Sequence, residues 1–276
     1  MLLRKVINRL SKVMKSERSR RKIQQSKKKL FELKLRALLD RPEPTKFLCP
    51  CCTTTLTVKE IKRVSAVCFF TGFELNRVVC PECGLTFGPL SLIECLPKEL
   101  MELYELIYQF YQEGDTRAFQ EKTFYLLNPS RDGRYLNYAC GDWSSGISRL
   151  RDLKWQIWGY EPFMNATPND SIIRRRELLD SPYDGMMSHN YIEHVQDPLE
   201  FFTMCKALIS PGGVMAHSSS CYGYRFEISP VHLYFYSEES IKRIARRADL
   251  MIQWSGSTDL ENINSVYGCY VFQRTD

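Results

Sequence analysis

The stretch RYLNYACGDWSSGISRLRDLKWQIWGYEP, Arg134 to Pro162, decides the fold. Tyr135, Leu136 and Tyr138 open it as a strand, Cys140-Gly141-Asp142 break it into a tight turn, and Ile147, Leu150 and Leu153 follow at helical spacing. Trp155 to Tyr160 predicts a second strand, closed by Glu161 about twenty residues after the turn glycine. Strand, turn, helix, strand and acid in that order is the layout of a βαβ unit that binds a nucleoside. A small turn residue lets the backbone approach the ligand, and a carboxylate at the tip of the next strand accepts the ribose hydroxyls. Phosphate fits poorly, because there is no Gly-Lys-Ser/Thr and Asp142 puts negative charge inside the turn. A cationic nucleoside fits well. The bland alternative is a buried βαβ turn that holds no ligand.

Downstream, Tyr183 to Ser188 predicts a buried strand with His189 and Asn190 at its carboxyl end, where open α/β sheets bind ligands. Glu193 and His194 come next. Asp197-Pro198-Leu199-Glu200 then starts a helix, with Asp as cap and Pro at the first position. Pro211-Gly212-Gly213 is expected to end it, and Val214 to Ser219 to form the following strand. In PVHLYFYSEES, His232 lies in the long loop after that strand, and Ser237 caps another helix.

These blocks resemble class I S-adenosylmethionine (SAM) dependent methyltransferases. The turn is similar to that family's L-D-x-G-C-G-x-G loop, Tyr183 to Phe202 to its fourth strand and following helix, Ala207 to Ser220 to its fifth strand, and His232 to Leu250 to the helix before its last two strands. The resemblance implies an α/β, Rossmann-like seven-stranded sheet with one antiparallel strand near its edge. It also implies SAM contacts from Tyr138, Ala139, Cys140, Gly141, Asp142, Trp143, Glu161, Pro162, His189 and Asn190. Asn137, Ala139 and Trp143 depart from the family pattern, standing where it has its acid and outer glycines. The His232 segment resembles the His-Leu-x-x-Phe-Ser run of sugar methyltransferases, which implies that His232 removes the acceptor's proton, with a further chemical role for His194. A histidine that only anchors its loop is the competing reading for each.

Upstream, Cys49/Cys52 and Cys80/Cys83 form two Cys-x-x-Cys pairs whose spacing wraps a thiolate knuckle around one metal, with a disulfide pair or a redox dithiol as the rival reading. Four thiolates close the coordination sphere, so the expected Zn²⁺ is structural. Cys68, Cys95, Cys140, Cys205, Cys221 and Cys269 lack such spacing and are expected in the core. Between ribbon and sheet, two helical stripes are expected: Leu100, Tyr104, Ile107, Tyr108 and Tyr111, stopping at Gly114-Asp115, and Phe119, Thr123, Leu126 and Leu127, stopping near Asn128-Pro129.

Charge is unevenly placed along the 276 residues. Up to Arg41, fifteen Lys/Arg stand against Glu17, Glu32 and Asp40, giving +12; the whole chain is +6, so the remainder is 6 − 12 = −6. Leu3, Val6, Ile7, Leu10, Val13 and Met14 recur at helical spacing among the basic residues. This composition suits attachment to an anionic membrane surface. A helix packed on the chain itself, an organellar targeting peptide and a nucleic-acid arm, though one without aromatic residues for base stacking, are the alternatives. The domain layout expected is a basic helical arm at 1–41, a zinc ribbon at 42–90, a helical connector at 91–128 and the methyltransferase domain at 129–276. The expected location is cytoplasmic, with peripheral attachment to membrane.

Ser-His-Asn-Tyr after the fourth strand is not the Asn/Asp-Pro-Pro-Tyr of enzymes that methylate exocyclic base nitrogens, which disfavours nucleic acid as acceptor. A small molecule or carbohydrate is expected instead, and a ribbon ahead of the domain is similar to enzymes that methylate nucleotide sugars. The alternatives are an RNA methyltransferase and a non-catalytic adaptor built on the same fold.

Overall fold

The computed structural model describes residues 22–111, 114–141, 144–162, 171–224, 227–258 and 267–276. The Arg134 stretch forms strand β6 (Arg134–Tyr138), helix α5 (Ser144–Asp152) and strand β7 (Gln156–Tyr160). β6 is buried on both faces because it is central, pairing in parallel with β7 on one side and with β9 (Tyr183–His189) on the other. Gly159 in β7 is needed for packing: a Cβ there would lie 2.4 Å from Ile147 and 2.5 Å from the Cys140 sulfur. Leu153, expected on the buried face of α5, lies past the helix end and is exposed.

The full sheet runs β12-β13-β10-β9-β6-β7-β8, with β8 at Ile172–Ile173, β10 at Ile209–Ser219, β12 at Leu250–Ser257 and β13 at Gly268–Arg274. β13 is antiparallel to both neighbours, and the pairings from β10 across to β8 are parallel. This is the sheet the resemblance implies. Helix α6 (Pro198–Leu208) is capped by Asp197, whose Oδ1 accepts the Glu200 N–H at 2.9 Å. It ends at Leu208, before Pro211-Gly212-Gly213. β10 begins at Ile209 and passes through an irregularity before regular pairing resumes at Val214. Helix α7 (Glu238–Arg247) is capped by Ser237 and α4 (Arg117–Tyr125) follows Thr116. Polar side chains fasten α4 to the sheet: Asn137 Nδ2 donates to Gln120 Oε1 at 2.9 Å, and the Thr123 and Ser218 hydroxyls are 2.8 Å apart.

Residues 43–93 cluster with this sheet as one unit. β1 (Lys46–Leu48) pairs with β2 (Thr55–Thr57), and β3 (Arg63–Val67), β4 (Glu74–Val79) and β5 (Thr86–Phe87) form a second antiparallel sheet. That sheet has a fourth strand, β11 (Tyr234–Phe235), from the loop after His232, so Tyr234 faces Phe87 and Phe235 faces Thr86. The short helix α2 (Leu90–Ile93) closes the segment.

The described residues of 22–42 and 94–114 cluster as another unit. Within it, helix α1 (22–39) buries Phe31, Leu35 and Leu38. Helix α3 (Pro97–Ile107) buries Leu100, Leu103, Leu106 and Ile107. α3 stops well before Gly114, and Tyr108 and Tyr111 are exposed. Phe31 meets Phe110 at 5.4 Å, Lys34 pairs with Glu102, and Arg41 pairs with Glu99. Residues 3–14 of the basic arm lie outside the described residues. No helix among the described residues is long and apolar enough to cross a membrane.

Candidate active site and metal centre

Strand order reverses at β6: the chain leaves it for β7 on one side and returns to β9 on the other. The carboxyl ends of the strands at such a reversal leave a crevice, the usual ligand site of an open α/β sheet. The turn after β6 sits there. Ala139 has φ +55° and Gly141 φ +66°, both left-handed. Ala139 therefore keeps a glycine-like backbone while carrying a methyl group, at a cost of about 1 kcal/mol. Opposite, at the tip of β7, Glu161 is 4% exposed, and its Oε2 accepts the Gly141 N–H at 3.0 Å. Tyr138, also buried, packs on Tyr160 and Tyr191. Cys140 is buried and Pro162 half-buried. Asp142 and Trp143 lie outside the described residues. The turn and carboxylate fit a SAM nucleoside, since the Gly141 backbone is held directly against the group that would take the ribose hydroxyls.

His189 ends β9 and Asn190 follows it. Asn190 has φ +49°, its N–H donates to the Ser218 carbonyl at 2.8 Å, and its Oδ1 accepts the Ser220 N–H at 3.3 Å. His189 belongs to a directed chain of hydrogen bonds. The Thr123 hydroxyl donates to the Phe119 carbonyl at 2.8 Å and lies 2.8 Å from the Ser218 hydroxyl, whose one proton goes to Thr123 or to the Ser188 carbonyl, so His189 Nδ1–H donates to Ser218 at 2.7 Å. His189 Nε2 then carries the lone pair and has no hydrogen-bond partner among the described residues. Burial lowers the His189 pKa to about 3, and the ring stacks on Phe119 at an interplanar angle of 3°.

The predicted histidines His194 and His232 are brought together, with ring centroids 4.9 Å apart. Both are half-buried, Glu193 is fully buried, and the ligating atoms of the three lie within 4.8 Å of one another. His194 shares a 2.8 Å hydrogen bond with the Val231 carbonyl, which only accepts, so Nδ1 carries the proton. Burial lowers its pKa to about 4. His232 Nδ1 is 3.4 Å from the Cys221 sulfur, and the Leu233 N–H donates to the Glu193 carbonyl at 2.8 Å, tying the two segments together.

Arg77 was not among the predicted site residues. It is fully buried in β4, donates to the Ser229 carbonyl at 2.8 Å and the His232 carbonyl at 3.4 Å, and lies 4.9 Å from the Phe235 ring centre. One arginine in an otherwise ordinary strand gives no sequence signal for this.

Cys49, Cys52, Cys80 and Cys83 converge, all four sulfurs within 4.8 Å of one another. Cys49 and Cys83 are 3.6 Å apart, Cys52 and Cys80 3.5 Å. A tetrahedron with Zn–S near 2.3 Å needs sulfurs about 3.8 Å apart. The two knuckles fold alike: Cys49 N–H donates to Thr54 O and Thr53 N–H to Cys49 O, while Cys80 N–H donates to Leu85 O and Gly84 N–H to Cys80 O. The hinge residues Thr53 and Gly84 are both left-handed. The neighbouring Cys83 thiol and burial push the Cys49 thiol up, and burial raises Cys80 to about 11. Sulfurs this close ionise together only beside a cation. The set fits zinc. Cys51, next to Cys83, is not one of the four; its thiol donates to the Ser240 carbonyl at 3.0 Å.

Among solved structures, Burkholderia thailandensis 1,6-didemethyltoxoflavin-N1-methyltransferase with bound S-adenosylhomocysteine is 13% identical, covers 73% of this chain and 96% of its own, and has a TM-score of 0.52. A putative Haloferax volcanii methyltransferase in complex with the Trm112 activator gives 14% identity, coverages of 58% and 90%, and a TM-score of 0.48. A Mesorhizobium loti SAM-dependent methyltransferase gives 15%, coverages of 57% and 98%, and a TM-score of 0.44. No curated protein matches the chain. The family model described as "Methyltransferase domain" matches residues 110–253, just over half of the 276, from shortly before α4 into β12. By that match this chain belongs to the methyltransferase domain family and is a SAM-dependent methyltransferase.

Proposed function

We propose that the crevice between β6 and β9 transfers a methyl group from SAM to a small-molecule or carbohydrate acceptor. The observation that carries this is the hydrogen bond between Glu161 and the Gly141 N–H at the strand reversal, with the paired imidazoles of His194 and His232 following the same end of β9. SAM would supply the methyl group on a positively charged sulfur. Glu161 takes the ribose, and the open backbone of Ala139 and Gly141 lets the nucleoside approach closely. His194 and His232 handle the acceptor's proton. The negative balance of the chain beyond Arg41 supports a small acceptor over a nucleic acid. Among the neighbours of similar fold, the Burkholderia enzyme is a 1,6-didemethyltoxoflavin-N1-methyltransferase with 1,6-didemethyltoxoflavin bound.

The four cysteines hold a structural zinc in this reading, and the basic arm attaches the protein to anionic membrane at the cytoplasmic face. The arm's charge supports the second point. Incubation with methyl-tritiated SAM and fractionated extract tests the main one. Label in a small-molecule or saccharide fraction is expected; label only in RNA, or none in any fraction, refutes it.

A further inference from the structure

Glu193, His194 and His232 are close enough to share one ion, and their chemistry differs from that of the cysteine cluster. His194 is already set as a ligand. Its Nδ1–H is spent on the Val231 carbonyl, leaving Nε2 with its lone pair, and metal-bound histidines commonly fix their other nitrogen in this way. The Leu233 N–H to Glu193 carbonyl bond holds the loop bearing His232 beside the segment bearing the other two, so the set is assembled by the fold. Placing a fully buried carboxylate beside two imidazoles gathers electron pairs where water is scarce, and a cation is what such a place favours. Arg77, which donates to the His232 carbonyl, is the nearby fixed positive charge; burial lowers its pKa, and Tyr224, Cys221 and Glu227 partly offset this.

The geometry points to a divalent first-row cation bound by Glu193, His194 and His232, with its open positions facing the acceptor. One oxygen and two nitrogens suit Mn²⁺, Fe²⁺ or Zn²⁺ and leave room for further ligands, whereas the four thiolates form a closed site. The acceptor class follows: a molecule with an ionisable hydroxyl. Coordination lowers the hydroxyl's pKa, and its proton passes to solvent. The oxygen lone pair then forms a bond to the methyl carbon as the C–S bond breaks and its electron pair stays on sulfur, giving a methyl ether and neutral S-adenosylhomocysteine. On this assignment the two histidines act on the proton as ligands rather than as free bases. The catalytic part rests on the proposed function; binding of the cation does not.

Mn²⁺ is the probe, because it prefers oxygen and nitrogen and leaves the thiolates to zinc. Electron paramagnetic resonance on the full zinc-loaded chain should count about one Mn²⁺ per chain. His232→Gln and Glu193→Gln should each weaken that binding by more than about tenfold. SAM calorimetry on the same samples reports folding: His232→Gln, at a half-buried position, should keep SAM affinity. Absence of a Mn²⁺ site in wild type, or unchanged Mn²⁺ affinity in folded His232→Gln, overturns the assignment. If Mn²⁺ binds as expected while SAM does not bind wild type, the cation site stands and the proposed function fails.

Discussion

Replacing Glu161 separates what the carboxylate does for the ligand from what it does for the turn. In the protein it is nearly inaccessible and holds the Gly141 N–H at 3.0 Å. Glu161→Ala removes both the charge and the acceptor. Loss of a hydrogen bond to a charged group costs about 1.5–3 kcal/mol, so the turn loosens by about that much, and ribose contacts are lost as well. Glu161→Gln keeps an oxygen for Gly141 and surrenders only charge and one acceptor. Its folding stability should fall by about 1 kcal/mol or less. SAM affinity should still fall by about 1.5–3 kcal/mol, or about 10–150-fold in Kd. Calorimetry with SAM and denaturant melts of the three proteins give both numbers. Wild-type affinity in Glu161→Gln would refute the ribose role, and a fall in stability equal to that of alanine would refute the claim that the turn needs only an oxygen at this position.

Cys80→Ser should abolish zinc content and lower the melting temperature, because a structural zinc contributes about 10–16 kcal/mol to the folding of small zinc modules; wild-type protein free of zinc when purified without chelator would refute it. Ala139→Gly should raise stability by up to about 1 kcal/mol by relieving the left-handed backbone at φ +55°, and a lower melting temperature would count against this. Burial holds the folded-state pKa of both His189 and His217 at about 3, far below the unfolded value. Below pH ~6.5 the unfolded chain takes up protons that the native rings refuse. Stability is therefore full above that pH and falls as pH drops towards 3, by up to about 1.4 kcal/mol per pH unit for each ring; a melting temperature flat from pH 7 to 4 would contradict it. Deleting the residues before Pro42 should abolish binding to anionic vesicles and leave SAM affinity intact, and equal vesicle binding by both forms would exclude the arm as anchor.

Local pattern made most of the sheet legible. The alternation around Leu136, the turn, the acid at Glu161 and the cap at Asp197 each state a short-range preference that the fold keeps. Boundaries were less legible. Pro211-Gly212-Gly213 does forbid a helix, but α6 had already ended at Leu208, because Ile209 pairs with Tyr183. Leu153 fitted the helical period, yet the helix stops one residue short of it. The deeper omissions are long-range. Arg77 reads as a surface residue of a strand until the loop carrying His232 is laid over it. Glu193 reads as a helix-flanking acid until His232, far along the chain, arrives beside it.

The pairing of β5 with β11 also sets a timetable. The cysteine-bearing segment leaves the ribosome early, but the strand completing its sheet, Tyr234–Phe235, lies almost 150 residues further on. At about 5–20 residues per second, β3, β4 and β5 wait on the order of ten seconds with one edge open, while nearly all of the crevice is being made. An open edge is a template for wrong partners. Early capture of metal by the two knuckles would hold that edge short and in register until its own strand emerges. A chain starved of zinc during synthesis would then aggregate before its catalytic half had a chance to fold.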